Sequence, residues 1–235
     1  MLILACELSG PVVSVSLWQN GQVIAETLRN VGLIHSVTFM PMVAEILQKN
    51  GFTPADVTHY AVTTGPGSFT GIRIGISAVK AMAYASEKPV LGFSTLDVLA
   101  WPYRNCDKIL VCPMIDARNS RAYTAAWLGS KMLISEVNQP VADFCAAVAQ
   151  LLQSADNIAS VLLIGMIPSD EQLVSLRRFA AVTAAPRSNW MPRASSLAEI
   201  AADAAARGDV LRPDNLKANY LTVSSAERLR AEKNG

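Results

Sequence analysis

The chain has 235 residues, between one and two domains' worth, and enough to bury a substantial core without disulfides or metal staples. Hydrophobic residues make up 51%, with 34 alanines, while charged residues are only 17% against roughly 25% in a typical domain, so part of the thinly charged surface is expected to be covered by a partner. A net charge of +1 excludes a nucleic-acid binder that relies on its own basic face, and no apolar run approaches the roughly 18 residues of a membrane span.

The first half is clearly punctuated. The N-terminal string MLILACELSG carries Glu7 within its apolar start and no basic segment, so it reads as a strand, Leu2 to Cys6, and not as a secretion signal. Val12 to Trp18 alternates, and Asn20-Gly21 is a strong hairpin signal, returning the chain as a third strand from Gln22 to Leu28. Helical spacing begins near Leu33 with Phe39, Val43, Ile46 and Leu47, is expected to kink at Pro41 and ends at Gly51. Tyr60 to Thr64 reads as a buried strand, Gly71 to Ser86 as a second helix, and Val90 to Phe93 as another strand before a short helix capped by Ser94 or Thr95.

The second half repeats that order. Strands are predicted at Ile109 to Ile115, Arg121 to Leu128 and Lys131 to Val137, then a helix at Val141 to Gln153, a strand at Val161 to Ile164 and a helix at Ser169 to Arg178. A duplicated β-β-β-α-β-α unit implies an α/β protein of two lobes, placed here at 1–104 and 105–235. A last helix, 195–207, with serine caps, is expected to pack across the lobes, and the charged tail from Ser225 is expected to fray. This architecture resembles the actin-like ATPase (ASKHA) superfamily.

Four cysteines, Cys6, Cys106, Cys112 and Cys145, show no CxxC spacing, and three of them fall in apolar strand or helix patterns. Buried free thiols in a reducing cytoplasm are the expectation. The only histidines, His35 and His59, have no recognised ligand spacing, so no metal site is predicted.

The most unusual string is GPGSFTGIRIG, from Gly65, Pro66, Gly67, Ser68, Phe69, Thr70 and Gly71 onward, between a strand and a helix. It lacks the Gly-Lys-Ser/Thr of a Walker A loop, has one residue too many for GxGxxG, and has Pro66 where a nucleophile elbow would need another frame. Two readings stay open. One is a tight turn in which Ser68 or Thr70 caps the helix. The other adds a slim helix face of Gly71, Gly75, Ala78 and Ala85 for a close helical neighbour, with Arg73 as rim charge or anion contact.

That string, together with ILACELSGPVVSVSL, IHSVTFMPMVAEIL, FSTLDVLA, PMIDARNSRAY and Tyr220-Leu221, resembles the TsaB (YeaZ) family of tRNA threonylcarbamoyladenosine biosynthesis proteins, closely over residues 1–128. The resemblance implies a cytoplasmic, non-catalytic scaffold that binds a TsaD-like protein. With a TsaE-like ATPase, that assembly transfers threonylcarbamoyl to N6 of adenosine 37 of tRNAs reading codons that begin with A. It also implies a homodimer when the partner is absent, tRNA contact only through the complex, no membrane, and no cofactor of its own, ATP belonging to TsaD and TsaE. The implied interface lies on the first two long helices: His35, Phe39, Met40, Met42, Val43, Ile46 and Leu47 on one, Arg73, Ile74, Ala78 and Met82 on the other. Met40 and Met42, two apart on a helix, cannot both face the lobe.

Glu7, Leu8 and Arg121 depart from the family's usual Asp, Thr and Glu. Nine of 13 glycines lie at or before Gly92, and the turn DARNSRAY, where a second phosphate loop would fall, has none. The expectation is therefore a degenerate member with no catalytic residues, leaving Glu7, Asp97, Asp116 and Arg118 as polar candidates in the cleft. The alternatives are a nucleotide-dependent ATPase or kinase with unorthodox loops, and a homodimeric protein binding a small ligand.

Overall fold

The computed structural model describes residues 1–30, 32, 35–155 and 157–221; the charged tail and the expected helix start at Leu33 lie outside them. The first sheet has the order β3-β2-β1-β4-β5. Strands β1 (Leu2–Glu7), β2 (Val12–Gln19) and β3 (Gln22–Asn30) are antiparallel neighbours, and β4 (His59–Gly65) and β5 (Val90–Ser94) continue the sheet in parallel. Asn20 and Gly21 both adopt positive φ, 51° and 88°, the mirror-image turn whose twist suits a hairpin.

Strand periodicity explains why β1 reads as a continuous apolar run. Leu2, Leu4 and Cys6 point to one face, where they meet α1 (His35–Lys49) and α2 (Phe69–Ser86). Ile3 and Ala5 point to the other, where α6 (Ala194–Ala206) lies on them with Leu197, Ala198 and Ala201. Both faces are covered, so neither can be polar.

The helix α3 (Thr95–Ala100) leads into the second sheet, made of β6 (Ile109–Asp116), β7 (Arg121–Leu128), β8 (Lys131–Pro140), β9 (Ser160–Gly165) and β10 (Ala181–Ala184). Its order, β8-β7-β6-β9-β10, is that of the first sheet strand for strand. Helices α4 (Val141–Ser154) and α5 (Asp170–Arg177) cover one face through Phe144, Val148, Leu173 and Leu176. On the other face Trp127, Val111 and Ile164 pack against Leu96 and Leu99 of α3. The result is a two-lobed α/β protein of the actin-like ATPase fold.

Two expectations need correction. The second half does not stop at its second helix: β10 adds a parallel strand, as β5 does in the first half. Its four residues, AVTA, are too few to carry a period. The last helix is not capped by its serines. It begins at Ala194, and the capping groups come from the sheet: Ala194 N–H donates to Ser14 Oγ at 3.1 Å and Ser195 N–H to Glu26 Oε1 at 3.0 Å. Glu26 also pairs with Arg193 and accepts from Ser14 Oγ at 3.0 Å, so a carboxylate of β3 meets the positive end of α6.

Beyond α6 the chain returns as a strap. Val90 and Leu211 exchange backbone hydrogen bonds of 2.9 and 2.8 Å, which covers the edge of β5. Leu216 then enters the first core, and Asn219 N–H donates to Thr64 O at 2.8 Å. Cys6, Cys112 and Cys145 are buried free thiols, and burial pushes all three up.

Candidate functional site

The glycine-rich turn leaves β4 through a cis Gly65–Pro66 bond and enters α2, whose first turn is capped by Ser68 Oγ, accepting from Gly71 N–H at 3.2 Å. Ser68, not Thr70, therefore holds the cap. The glycines are required by close approach of the chain's own backbone. A β-carbon at Gly67 would collide with the Ser9 carbonyl, and one at Gly71 with the Leu8 carbonyl. Ser68 N–H donates to Ser9 O at 2.7 Å, locking the turn onto the link between β1 and β2. Carbonyl oxygens thus stand against Gly67 and Gly71, where an anion cradle needs open space and free N–H groups. On the other side Asn219 O sits 2.7 Å from where a β-carbon of Gly65 would be.

This placement corrects the expected slim face. Gly71 and Gly75 point into the lobe, Gly75 against Leu8 and Val62, while only Ala78 and Ala85 of that set reach the outer side of α2. The reason is the turn itself: it fixes the rotation of α2 so that its glycines face the β1–β2 link. Arg73 is neither free nor an open anion contact. Its guanidinium lies 3.8 Å over the ring of Phe69, and Nε donates to Tyr220 OH at 2.9 Å; Phe69 and Tyr220 pack with centroids 5.3 Å apart.

On α1, six of the seven interface candidates turn inward. His35, Phe39, Met42, Val43, Ile46 and Leu47 are buried, and the last five join the first core with Leu4, Tyr60 and Val62. Sequence reading placed them outside because a helix pattern gives the apolar stripe but not what it faces; here the sheet takes it. His35 Nε2 stands 2.8 Å from Gly10 O, which, as a carbonyl, can only accept. Met40 alone of the seven faces out, as Met42 faces in. The outer side of α1 carries Val37 and Met40, 66% and 44% exposed, and α2 adds Tyr84, 51% exposed. Between the helices runs a groove of about 510 Å³ lined by Met40, Val43, Ala44, Leu47, Met82 and Ala85, with Tyr60 and Leu4 at its floor. Of the α2 candidates only Met82 lines it; Ile74, Ala78 and Met82 are partly buried against the first core.

The polar candidates do not gather into one cluster. Asp97 pairs with Arg104, a residue the sequence reading did not single out. Arg104 lies 5.6 Å from the Trp101 ring and 5.0 Å from that of Trp127, and burial raises Asp97 despite the guanidinium. Glu136 of β8, also unanticipated, faces this pair; burial raises it too, and it accepts from Asn219 Nδ2 at 3.3 Å. Asp116 accepts from the backbone N–H of Arg118 at 2.7 Å, and Arg118, Asn119 and Ser120 all take positive φ in the turn where a second phosphate loop would lie.

Glu7 ends β1 wholly buried. Its Oε1 accepts from Ser9 N–H at 2.6 Å and from the Ser9 hydroxyl, and burial raises its carboxyl above the usual range. Among the described residues no group of three or more His, Cys, Asp or Glu is placed to hold a metal ion, and no helix is long and apolar enough to cross a membrane.

Residues 30–207 match the family described as TsaD: tRNA N6-adenosine threonylcarbamoyltransferase. The tRNA threonylcarbamoyladenosine biosynthesis protein TsaB of Bacillus subtilis (strain 168) is 34% identical over 137 residues, 58% of this chain and 59% of that protein. That of Escherichia coli (strain K12) is 36% identical over 130 residues, 54% and 55% of the two chains. The matches thus span a little over half the length of these curated relatives. Among solved structures, a Pseudomonas aeruginosa protein described as similar to the peptidase YeaZ is 25% identical, with a TM-score of 0.72 over 94% of this chain and 99% of that one. A ROK hexokinase from Thermus thermophilus, 10% identical with a TM-score of 0.52 over 86% of this chain and 100% of that one, shares the fold. The chain therefore belongs to the family described as TsaD: tRNA N6-adenosine threonylcarbamoyltransferase, and its relatives of similar sequence and structure are TsaB (YeaZ) proteins.

Proposed function

We propose that this chain is a non-catalytic scaffold subunit in the formation of threonylcarbamoyladenosine on tRNA. It docks onto a TsaD-like protein through the outer side of α1 and α2, and pairs with a second copy of itself through the same side when that partner is absent. The observation that carries this reading is the exposed apolar surface of the two helices, Val37 and Met40 on α1 and Tyr84 on α2, with Met40 lining the groove between them. Singly exposed apolar residues are ordinary, but an open apolar groove with an exposed methionine in its lining marks an interaction surface.

The absence of chemistry is supported by the glycine turn, whose close approaches are filled by Ser9, Leu8 and Asn219 of the same chain. A TsaE-like ATPase joins the assembly, nucleotide is handled there, and tRNA reaches this subunit only through its partners, since a net charge of +1 offers little attraction to phosphate. Co-purification with a TsaD homologue tests the proposal. Met40→Asp should leave the monomer's thermal midpoint nearly unchanged, as surface changes do within about 0.5 kcal/mol, while weakening the complex at least tenfold, on the order of 1.4 kcal/mol. A complex indifferent to Met40→Asp and to Tyr84→Asp would overturn the assignment of the surface. ATP turnover by the isolated chain would overturn the scaffold role.

A further inference from the structure

Glu7 is the only acid the structure buries completely, with no exposed surface at all among the described residues. A bare carboxylate in such a place is costly unless a counter-charge or a full set of donors meets it. Neither is met in full among the described residues. Oε1 takes both donors of Ser9, but Oε2 has no well-formed hydrogen bond. The neighbouring Thr63 hydroxyl, one residue beyond the last β1–β4 pair Cys6–Val62, is buried and also lacks a well-formed hydrogen bond, though it stands near enough to act on the Glu7 carboxyl.

The charges around it supply only a weak counter-ion. From α1, the charge of His35 would favour ionised Glu7, but less than burial opposes it, and its Nε2 is engaged with Gly10 O. From β2, the cross-strand neighbour of Glu7 is the neutral Ser14. Beyond it, Glu26 of β3 and Arg193 at the start of α6 neutralise one another. On β1 itself, Cys6 is a neutral buried thiol.

We infer that Glu7 is kept as a neutral acid whose proton on Oε2 is given to Thr63 Oγ1, and that in this form it is the positioning residue that seats the glycine-rich turn. The mechanical link is short. Glu7 fixes Ser9 through both its N–H and its hydroxyl; the Ser9 carbonyl accepts from Ser68 N–H at 2.7 Å and stands against Gly67; Ser68 caps α2. This inference concerns the isolated chain and does not depend on the partner reading.

The sign of the pH effect follows. Between the ordinary carboxyl range and its raised position, the folded chain holds a proton that the unfolded chain has released, so stability falls as pH rises through that window. Asp97 and Glu136 are raised as well, so the informative quantity is the difference between the chain and its Glu7→Gln variant. The full chain, Glu7→Gln and Glu7→Ala should be unfolded thermally from about pH 5 to about pH 8, and the carbon-13 resonance of the Glu7 carboxyl followed over the same range. Glu7→Gln keeps an oxygen for Ser9 and an N–H donor for Thr63, so its midpoint should rise relative to the unaltered chain as pH increases. Glu7→Ala should speed exchange of the Ser68 amide at least about tenfold, whereas Glu7→Gln should not.

The resonance should be that of a neutral acid at neutral pH, a readout on the unaltered chain that stands even where a variant fails to fold. A carboxylate resonance there would overturn the inference, as would a midpoint difference independent of pH. So would a midpoint that rises with added potassium or magnesium chloride only when Glu7 is present, since the charge would then be balanced by a bound cation.

Discussion

At the scale of single residues, the glycines of the 65–71 turn are explained by what they touch. Gly71→Ala places a methyl group on the Leu8 carbonyl, which is backbone and cannot swing away. The substitution should cost about 2–4 kcal/mol, measured by denaturant unfolding, with strain as its cause. Gly10→Ala meets nothing within 4 Å and should be nearly silent, although it too lies in the same corner. The sequence made the turn conspicuous but not its reason: three glycines in seven residues predict a close approach, and only the fold says that the approaching group is the β1–β2 link rather than an anion. Glu7 shows the same limit. It stands out in an apolar strand, yet its partners Ser9 and Thr63 come from a turn and from a strand more than fifty residues away.

At the scale of elements, the hairpin, the two long helices and the order of strands were legible because each rests on local signals: Asn20-Gly21, the helical spacing from Phe39 to Leu47, and the Ser68 cap. Which way α1 faces was not, because both an apolar core and an apolar partner reward the same spacing. The structure separates them, and a pair of variants tests the separation. Val43→Asp puts a charge among Leu4, Tyr60 and Phe39 and should unfold the lobe or cost at least about 3 kcal/mol, whereas Met40→Asp, one turn away on the outer side, should not. Equal loss of stability in both, by circular dichroism melting, would mean that the outer side is also core. The cap of α6 was illegible for another reason: its donors and acceptors are joined across about 170 residues of chain, as in the Ser195–Glu26 bond. Glu26→Gln should cost about 1–2 kcal/mol, through the lost helix-end interaction and the Arg193 pair.

At the scale of the whole molecule, two sheets of one topology have diverged in what surrounds them. The duplication was visible in the order of elements, and β10 was missed only because a four-residue strand carries no pattern. Contacts between the halves are not cleft-like alone. Trp127 of the second sheet packs against Leu96 and Leu99, and Asn219 joins Thr64 in one lobe to Glu136 in the other. An enzyme of this fold that clamps a nucleotide needs lobes that can move against each other and phosphate loops left open between them. Here the strap ties the lobes and the glycine turn is filled, in keeping with the proposal that function rests on the outer side of α1 and α2.

The central claim is contact through that side. Hydrogen exchange of the full chain, alone and mixed with a TsaD homologue, reads it most directly. The account predicts added protection confined to α1 and α2, abolished by Met40→Asp, with the sheet of the second lobe unchanged. Protection centred on the second lobe, or none at concentrations where the two proteins co-elute, would contradict it.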